Sequence, residues 1–341
     1  MDPHKTLQSI FHVLAILVIL GFLSLQAGSC MLLVTAMNAG EEETAGARSG
    51  RDEYLFGDKQ AEASFLRVPI VGVISAEPEE NVFGLRRASL LETVDELLNH
   101  AAESPSIDGL LIDIDSPGGA VDPSDVIFQR LRRFTADTGK PVVARMNGLA
   151  ASGGYYVAMG ASRILAHPSC LTGSIGVIIQ SWNATGLFDK LGLELFTMTS
   201  GPNKDLLNPG RPVSKEHKAI IQGIVDDAYG AFVAAVATGR GLDSTRVRGL
   251  ADGRIYTARQ AKALGLIDAV GYEEELLDML REAADAETVR VVEHRLAAPL
   301  WDRLAESLES RLAGGAPAAR LEQRLADIAP APGLYYLWPG F

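Results

Sequence analysis

The sequence predicts an α/β fold with a mainly parallel sheet, and three observations support this prediction. Short apolar runs typical of buried strands alternate with longer segments whose apolar residues recur at helical spacing. Turn residues separate the two kinds of segment, as in the Ser-Pro-Gly-Gly stretch that follows residue 115. The chain has 341 residues, of which 47% are hydrophobic and 22% charged, as is typical of a globular protein.

The predicted elements follow one another from residue 68 onward. The predicted strands are short and apolar: 69–78, 109–115, 141–148, 163–166 and 175–179. The predicted helices have apolar residues at intervals of three and four: 90–104, 121–137, 151–161, 214–242 and 272–285. A further strand and helix share residues 250–271. Because strands and helices alternate, the strands are expected to be mainly parallel.

An apolar stretch near the N-terminus, residues 10–37, contains no Asp, Glu, Lys or Arg. A helix needs about 20 apolar residues to cross a bilayer, so this stretch is long enough for a tilted span. A cleaved signal peptide has a shorter apolar core. We therefore expect an uncleaved anchor, with acylation of Cys30 as an alternative. Lys5 before the span and Glu41 after it place the rest of the chain outside the cytoplasm.

Charge and cysteine content narrow the functional class. The formal net charge is −12 and the sequence has no long Lys/Arg run, so we expect no nucleic-acid partner. The two cysteines, Cys30 and Cys170, lie in different settings and form neither a disulfide framework nor a zinc cluster. Cys170 is expected to be a small core residue.

Ser152 is a candidate nucleophile in the sequence Ala-Ala-Ser-Gly-Gly, between a predicted strand and a predicted helix. Small neighbours would let a substrate backbone approach the hydroxyl, and a helix start offers free N–H groups. The segment differs from the G-x-S-x-G nucleophile elbow in having Ala at the first position. An ordinary N-cap serine is the alternative interpretation.

Gly118 and Gly119 are candidate oxyanion-hole residues at the end of the predicted strand 109–115. Ligands of α/β sheets bind at the carboxyl ends of strands. Paired glycines can turn backbone N–H groups toward an anion, as an oxyanion hole requires. An ordinary turn is the alternative interpretation.

A serine nucleophile needs a base, and none of the six histidines lies in a motif typical of a hydrolase triad. Lys204 is the other candidate, in the loop Ser-Gly-Pro-Asn-Lys-Asp at 200–205. Its amine would have to be uncharged, and burial beside the serine favours that form. A solvated loop lysine is the alternative interpretation.

Taken together, these segments resemble the signal peptide peptidase A family of serine–lysine peptidases. Five matching segments occur in the family's order: DSPGG (115–119), AASGGYY (150–156), TGSIGV (172–177), SGPNKD (200–205) and DGRIYTARQAKALGLID (252–268). The resemblance covers about residues 66–285 and corresponds to the short, single-domain form. It implies the crotonase/Clp-protease-like α/β fold, a superhelix of repeated ββα units.

The resemblance also implies a site with a nucleophile, a base, three backbone donors and a serine that orients the base. Ser152 is the implied nucleophile and Lys204 the implied base. Gly118, Gly119 and Gly153 would supply the backbone donors, and Ser174 would orient the lysine. It implies neither a cofactor nor a metal. The expected organisation is an anchor at 1–37, a linker at 38–66, a peptidase domain at 67–285 and a C-terminal extension at 286–341.

The expected function is that of a membrane-anchored serine endopeptidase that degrades remnant signal peptides and other apolar segments through an acyl-enzyme. It would lie in the cell membrane by a single span, with the catalytic domain on the extracytoplasmic side. The resemblance implies a homo-oligomeric ring, with the octamer as one candidate size, in which neighbouring subunits contribute serine and lysine. The alternatives are a crotonase-type acyl-CoA enzyme and an inactive membrane scaffold of the same fold.

The C-terminal extension lies outside the resemblance and ends in the apolar cluster LYYLWPGF at 334–341. Such a cluster can pack on the body, touch lipid, or enter an active site as a tethered inhibitor. We expect packing on the body.

Overall fold

A computed structural model describes residues 50–78, 88–295 and 334–337 of the chain. The expected anchor at 10–37 and Cys30 lie outside these residues. The chain separates into two units, and the smaller one, 1–51 with 295–307, lies almost wholly outside them too. The larger unit, 52–294 with 308–341, carries the fold and the candidate site.

A long twisted sheet forms the centre of the larger unit. Its strands are β1 (Arg51–Gly57), β2 (Ala63–Val71), β3 (Gly109–Ser116), β5 (Val142–Ala151), β6 (Arg163–Ala166), β7 (Leu171–Gly173), β9 (Ile255–Thr257), β10 (Ala269–Val270) and β11 (Val289–Arg295). The order is β1-β11-β2-β3-β5-β6-β10, and β7 pairs with both β5 and β9. Within this sheet the described pairs from β11 through β10 are parallel, and of its described registers only β7–β9 is antiparallel. The predicted α/β class with a mainly parallel sheet is confirmed.

A second, three-stranded sheet is built from short strands. These are β4 (Gly118–Ala120), β8 (Ile178–Ile179) and β12 (Leu334–Leu337), in the order β4-β12-β8. A strand of the long sheet, β3, is followed directly by β4 and then by a helix, which is one complete ββα unit. This unit is the repeat that the crotonase/Clp-protease-like class predicts.

Helices cover the sheet. They are α1 (Leu90–Glu103), α2 (Val121–Thr138), α3 (Gly153–Ala158), α4 (Thr185–Leu191), α5 (Lys215–Arg240), α6 (Ser244–Leu250), α7 (Ala258–Leu264) and α8 (Glu273–Ala284). Local signals in the sequence fix several ends: Ser89 and Glu92 form a capping box that opens α1, and Gly241 ends α5 in the left-handed conformation. This is why the predicted bounds of α1, α2, α5 and α8 agree closely with the structure.

Helix α5 is, among the described residues, the helix that is long and apolar enough to cross a membrane by length and composition. Its C-terminal half buries Phe232, Val233 and Val236 against the core. Those contacts make this half of α5 part of the folded core.

The core lies between the sheet and the helices, with Ile70, Ile112, Tyr155 and Phe232 completely buried in it. Cys170 is also completely buried, as predicted. Burial and the charge of Asp115 raise the pKa of the Cys170 thiol to about 12, so the thiol stays protonated at neutral pH.

An ion-pair network crosses β2, β3 and β5 inside the sheet. Asp113 accepts hydrogen bonds of 2.7 Å from Arg67, Arg145 and Asn147. Burial raises the pKa of the Asp113 carboxyl, but the hydrogen bonds and charge of the two arginines outweigh burial and hold this pKa below its usual value. The network thereby ties together the three strands that lead toward the candidate site.

The structure differs from the sequence prediction at the N-terminal edge of the sheet. β1 and the start of β2 lie within residues 38–66, which were expected to be a linker, and β11 lies within the expected C-terminal extension. β11 pairs with β2 through the register Val291↔Phe65. A strand whose partner is more than 200 residues away in the chain carries no local signal of that pairing, which is why composition alone suggested a linker.

Candidate active site

The candidate site forms where three parallel strands end. Ser116 on β3 lies opposite Ala150 on β5, and Ala151 on β5 lies opposite Gly173 on β7. Because parallel strands point the same way, the residues that follow these pairs emerge at one edge of the sheet. Ser152 and Ser174 each come one residue after a paired position, so the register brings them side by side.

Ser152 has a strained backbone and an unpaired buried hydroxyl. Its φ of 52° and ψ of −116° lie in a region that non-glycine residues rarely adopt. The residue is 1% exposed, and among the described residues its Oγ has no hydrogen-bond partner. Such strain and an unsatisfied hydroxyl are costly and concentrate at functional positions.

Backbone hydrogen bonds on both sides hold Ser152 in this conformation. Its N–H donates to the carbonyl of Gly173 at 2.8 Å, and its own carbonyl accepts from the N–H of Tyr156 at 2.8 Å. The chain turns sharply from β5 into α3 at this point, and Ser152 is the residue before the helix. This strand-to-helix turn is the geometry of a nucleophile elbow, although the first position of that motif is Ala in this chain.

The glycine loop is fixed by contacts that only glycine allows. Gly118 has a φ of 98°, and a Cβ on Gly119 would lie 2.1 Å from the carbonyl oxygen of Ile74. Ile74 and the loop form a bridge: Ile74 N–H donates to Gly118, and Ala120 N–H donates to Ile74, both at 2.9 Å. Gly118 is therefore favoured by its positive φ, and Gly119 is required by the close approach of the segment after β2.

Ser116 holds this loop in place with two hydrogen bonds. Its hydroxyl donates to the carbonyl of Gly72 at 2.6 Å and accepts from the N–H of Gly118 at 3.0 Å. The N–H of Gly118 is thus already engaged. Since the bridge to Ile74 uses the groups of Gly118 and Ala120, strand alternation turns the N–H of Gly119 to the opposite side.

Two backbone N–H groups of the candidate site consequently lie outside the bridge to Ile74. One is the N–H of Gly119, and the other is the N–H of Gly153, which as the first residue of α3 has no partner within its helix. Gly118 has a different part in the loop: its positive φ forms the turn. Two N–H groups next to a serine hydroxyl are the arrangement that stabilises an oxyanion.

The C-terminal strand β12 lies against this loop. It runs antiparallel to β4, with Tyr336 opposite Gly119 and Leu337 opposite Gly118. Its other edge pairs with β8, with Tyr335 opposite Ile178. The expected outcome for this cluster was packing on the body, and the structure places it specifically along the strand that carries the glycine loop.

Ser174 and Lys204 differ in their relation to Ser152. Ser174 is 7% exposed, has a φ of 50°, and donates its N–H to the carbonyl of Arg254 at 2.8 Å. Lys204 is exposed in a turn, where its N–H donates to Gly201 at 3.2 Å. Since the Ser152 hydroxyl has no partner among the described residues, one chain does not join Lys204 to it.

Lys204 lies in residues 180–213, here called the arm. Most side chains of the arm are at least partly exposed to solvent, unlike those of the core. The arm exposes large apolar side chains to an unusual degree: Trp182 74%, Leu187 56%, Leu191 60%, Phe196 79% and Met198 84%. Single exposed apolar residues are ordinary, but a concentration of them marks an interaction surface.

Two residues of the site were not predicted from the sequence. Ser116 lies within the DSPGG segment, so its motif was a usable signal, but the role of its hydroxyl depends on Gly72, which is 44 residues away. Ile74 carries no motif at all. Its role depends on a backbone bridge that only the folded chain creates.

Comparisons with known proteins identify the family of this chain. Peptidase family S49 matches residues 135–287. A Synechocystis sp. protein named as a protease is 40% identical over 211 residues, which cover 61% of this chain and 70% of that protein. An Enterococcus faecium protein named as a signal peptide peptidase SppA is 36% identical over 230 residues, covering 67% of this chain and 66% of that protein. The chain thus spans about two thirds of the length of these relatives.

A more distant relative and two solved structures are also similar. The chloroplastic serine protease SPPA of Arabidopsis thaliana is 34% identical over 58% of this chain and 29% of its own length. A mutant of the 1510-N membrane-bound stomatin-specific protease has a TM-score of 0.41 and 19% identity, over 64% of this chain and 84% of that one. A ClpP1 mutant from Listeria monocytogenes has a TM-score of 0.40 and 17% identity, over 61% of this chain and 92% of that one. The family match and these sequence relatives show that this chain belongs to peptidase family S49.

Proposed function

We propose that the chain is a serine endopeptidase in which Ser152 is the nucleophile and Lys204 of a neighbouring copy is the base. The observation that carries this proposal is the buried hydroxyl of Ser152 on a strained turn, which has no hydrogen-bond partner among the described residues. A buried hydroxyl without a partner costs about 1–3 kcal/mol, so a structural role would not leave it unsatisfied.

We place the base on another copy because no described residue of the same chain is hydrogen-bonded to the Ser152 hydroxyl. The Ser152 hydroxyl faces no acceptor among the described residues, and Lys204 projects from the arm 180–213. The exposed apolar residues of the arm would be covered by a second copy, and that contact would carry the lysine to a neighbouring site. The homo-oligomer proposed here is consistent with a ring, whose subunit number stays a prediction.

Ser174 would receive the lysine. It lies next to Ser152 and lines a cleft together with Ile178 and Tyr229. A hydroxyl there can accept a hydrogen bond from the amine without adding charge, which keeps the amine in the form that accepts a proton.

The proposed reaction is acyl transfer to water. The Lys204 amine takes the proton of the Ser152 hydroxyl, whose oxygen attacks a peptide carbonyl. The N–H groups of Gly119 and Gly153 stabilise the tetrahedral oxyanion. The resulting ammonium protonates the leaving amine as the peptide bond breaks. Water then hydrolyses the acyl-enzyme, with the amine again acting as base, and the hydroxyl of Ser152 is restored.

The proposed substrates are signal peptide remnants and similar apolar peptides in extended conformation. Two features support this class: a relative named as a signal peptide peptidase, and the space between β4 and β8, which accommodates an added strand. An anchor at 10–37 would hold the enzyme in the cell membrane, where apolar peptides collect, with its domain on the extracytoplasmic side.

The proposal is tested with the full chain in detergent. A fluorophosphonate should label Ser152, and apolar peptides should be hydrolysed, whereas Ser152→Ala should lose both activities. Ser162→Ala is the matched control because Ser162 is a serine outside the site, bonded to the carbonyl of Val142. Peptide hydrolysis that survives in Ser152→Ala, or acyl-CoA turnover without labelling of Ser152, would contradict the proposal.

A further inference from the structure

Asp52, His100 and His294 meet at the edge of the long sheet that β1 forms. Asp52 lies on β1, His100 in the last turn of α1, and His294 on β11. Asp52 Oδ1 is 3.0 Å from His100 Nε2 and 2.6 Å from His294 Nδ1. The two imidazole rings have centroids 3.9 Å apart. Three separate elements therefore bring one carboxylate and two imidazoles to a single point.

The carboxylate of Asp52 is the centre of this cluster. An ionised carboxylate only accepts hydrogen bonds, so His100 Nε2 and His294 Nδ1 both direct an N–H toward it. In the other tautomer of each ring the same nitrogen presents a lone pair in that direction, and this is the form that binds metal ions. The atoms that would hold an ion are thus already aimed at one another.

We propose that Asp52, His100 and His294 bind a divalent transition-metal ion, with Zn²⁺ as the fitting ion. One ligand atom from each side chain lies within 4.8 Å of the other two. Zn²⁺ binds imidazole nitrogen and carboxylate oxygen at about 2.1 Å, which places tetrahedral ligand atoms roughly 3.4 Å apart. The side chains therefore need to shift by less than about 1 Å to admit the ion. Three protein ligands leave a fourth tetrahedral position for water.

The donor set and its surroundings distinguish Zn²⁺ from Ca²⁺ and Mg²⁺. The latter ions take mainly oxygen ligands, whereas two of the three donors here are imidazole nitrogens. Asp52 also borders a cleft of about 320 Å³ whose walls include Lys59 and Arg290. Those two positive charges oppose a cation that is held by charge alone. Directed bonds to nitrogen offset this repulsion for Zn²⁺, so we expect the site to select it.

A bound ion would join distant parts of the chain. Asp52 is separated by 48 positions from His100 and by 242 positions from His294. Asp52 and His294 are also the first and last residues of the continuous segment 52–294 of the larger unit. A link that closes a long loop restricts the unfolded chain and thereby stabilises the folded one. The role of the ion is therefore structural: it clamps β1 and α1 to β11.

The test is titration of the full chain in detergent with Zn²⁺ alone, after treatment with EDTA and dialysis. Calorimetry should show saturable binding of one ion per chain, and Tm should rise with the concentration of free Zn²⁺. Ca²⁺ at the same concentrations should do neither. Co²⁺ in place of Zn²⁺ should give the visible absorption bands of a four-coordinate site, and added Zn²⁺ should remove these bands by displacement.

Substitutions assign the binding to these side chains. Asp52→Asn, His100→Gln and His294→Gln should each weaken Zn²⁺ binding at least tenfold and reduce the rise in Tm. His217→Gln is the matched control, because His217 lies in the first turn of α5 and outside the cluster. The His294 side chain is only 6% exposed, whereas that of His100 is 28% exposed. His100→Gln is therefore the variant whose folding is least at risk.

Unchanged affinity and an unchanged rise in Tm in both Asp52→Asn and His100→Gln would overturn the site and leave a hydrogen-bonded cluster without a metal. The absence of saturable Zn²⁺ binding, or equal binding of Ca²⁺, would overturn it as well. Loss of binding in His217→Gln alone would assign the ion to another histidine. Ser152 and its neighbours contribute none of these ligands, so the result is independent of the proposed peptidase chemistry.

Discussion

Ser152 and Gly173 are joined by a backbone hydrogen bond of 2.8 Å, in which the N–H of Ser152 donates to the carbonyl of Gly173. This bond continues the ladder between β5 and β7 by one residue into the strained turn. The position of Ser152 therefore depends on the strand that Ser174 directly follows. The strain at Ser152 is maintained by the pairing of two strands.

The strain predicts that Ser152→Gly increases stability while it abolishes activity. Glycine adopts a φ of 52° without steric cost, and strain of this kind amounts to about 1–3 kcal/mol. We expect the free energy of unfolding, measured by urea titration, to rise by about 1 kcal/mol relative to Ser152→Ala. Ser152→Ala keeps a Cβ in the same backbone conformation and is the matched control. An equal or lower stability of Ser152→Gly would show that the turn stores no strain.

A neighbouring Lys204 predicts that two inactive variants complement each other. Ser152→Ala and Lys204→Ala should each be inactive alone, because one lacks the nucleophile and the other the base. We expect activity to return when equal amounts of the two variants are mixed under conditions that allow subunits to exchange. About a quarter of the sites should then combine a wild-type Ser152 with a wild-type Lys204, so the peptidase activity should reach about a quarter of the wild-type value. Lys190→Ala, another exposed arm lysine, should remain active alone. Mixtures that stay inactive after proven exchange would contradict an intersubunit pair.

The bridge between Gly119 and Ile74 predicts a severe effect of Gly119→Ala. The new Cβ would lie 2.1 Å from the carbonyl oxygen of Ile74, so the loop has to move and the N–H of Gly119 leaves its position. We expect kcat to fall about 100-fold or more, as when one oxyanion donor is removed. Gly148→Ala is the control, because its Cβ would meet nothing closer than 3.5 Å. Comparable losses in both variants would mean that the loop has no special role.

The Asp113 network predicts a pH-dependent contribution to stability. Because the pKa of Asp113 is lowered in the folded protein, its contribution is present in full above the unfolded carboxyl's pKa of about 4 and is lost as pH falls through the lower folded-state value. Asp113→Asn should cost about 2 kcal/mol at pH 7, a value reduced for the partial exposure of both arginines. The difference from wild type in urea unfolding should shrink below pH 4.

Asp252→Asn is the control for this measurement. Asp252 forms an exposed ion pair with Arg254, which solvent screens, so its replacement should leave the free energy of unfolding almost unchanged. If Asp113→Asn were equally mild, the buried network would contribute nothing to the pairing of β2, β3 and β5.

Local sequence was sufficient for much of the fold. Helices α1 and α5 have apolar spacing and capping residues within their own segments, and β3 is a continuous apolar run. Ser152 and the two loop glycines could also be selected from the chain, because a small-residue turn between strand and helix is itself a local pattern. The sequence could not predict β1, whose partner β11 is more than 200 residues away.

What the sequence by itself determined is which segments become strands and helices and which residue types lie at their ends. Tertiary structure decided which ends meet: the register of β3, β5 and β7 brings Ser152 beside Ser174, Ile74 fixes the glycine loop, and β12 lies between β4 and β8. The physical reason is that helix periods and turn residues act within a few positions. Strand register and backbone bridges depend on partners that only the folded chain brings together.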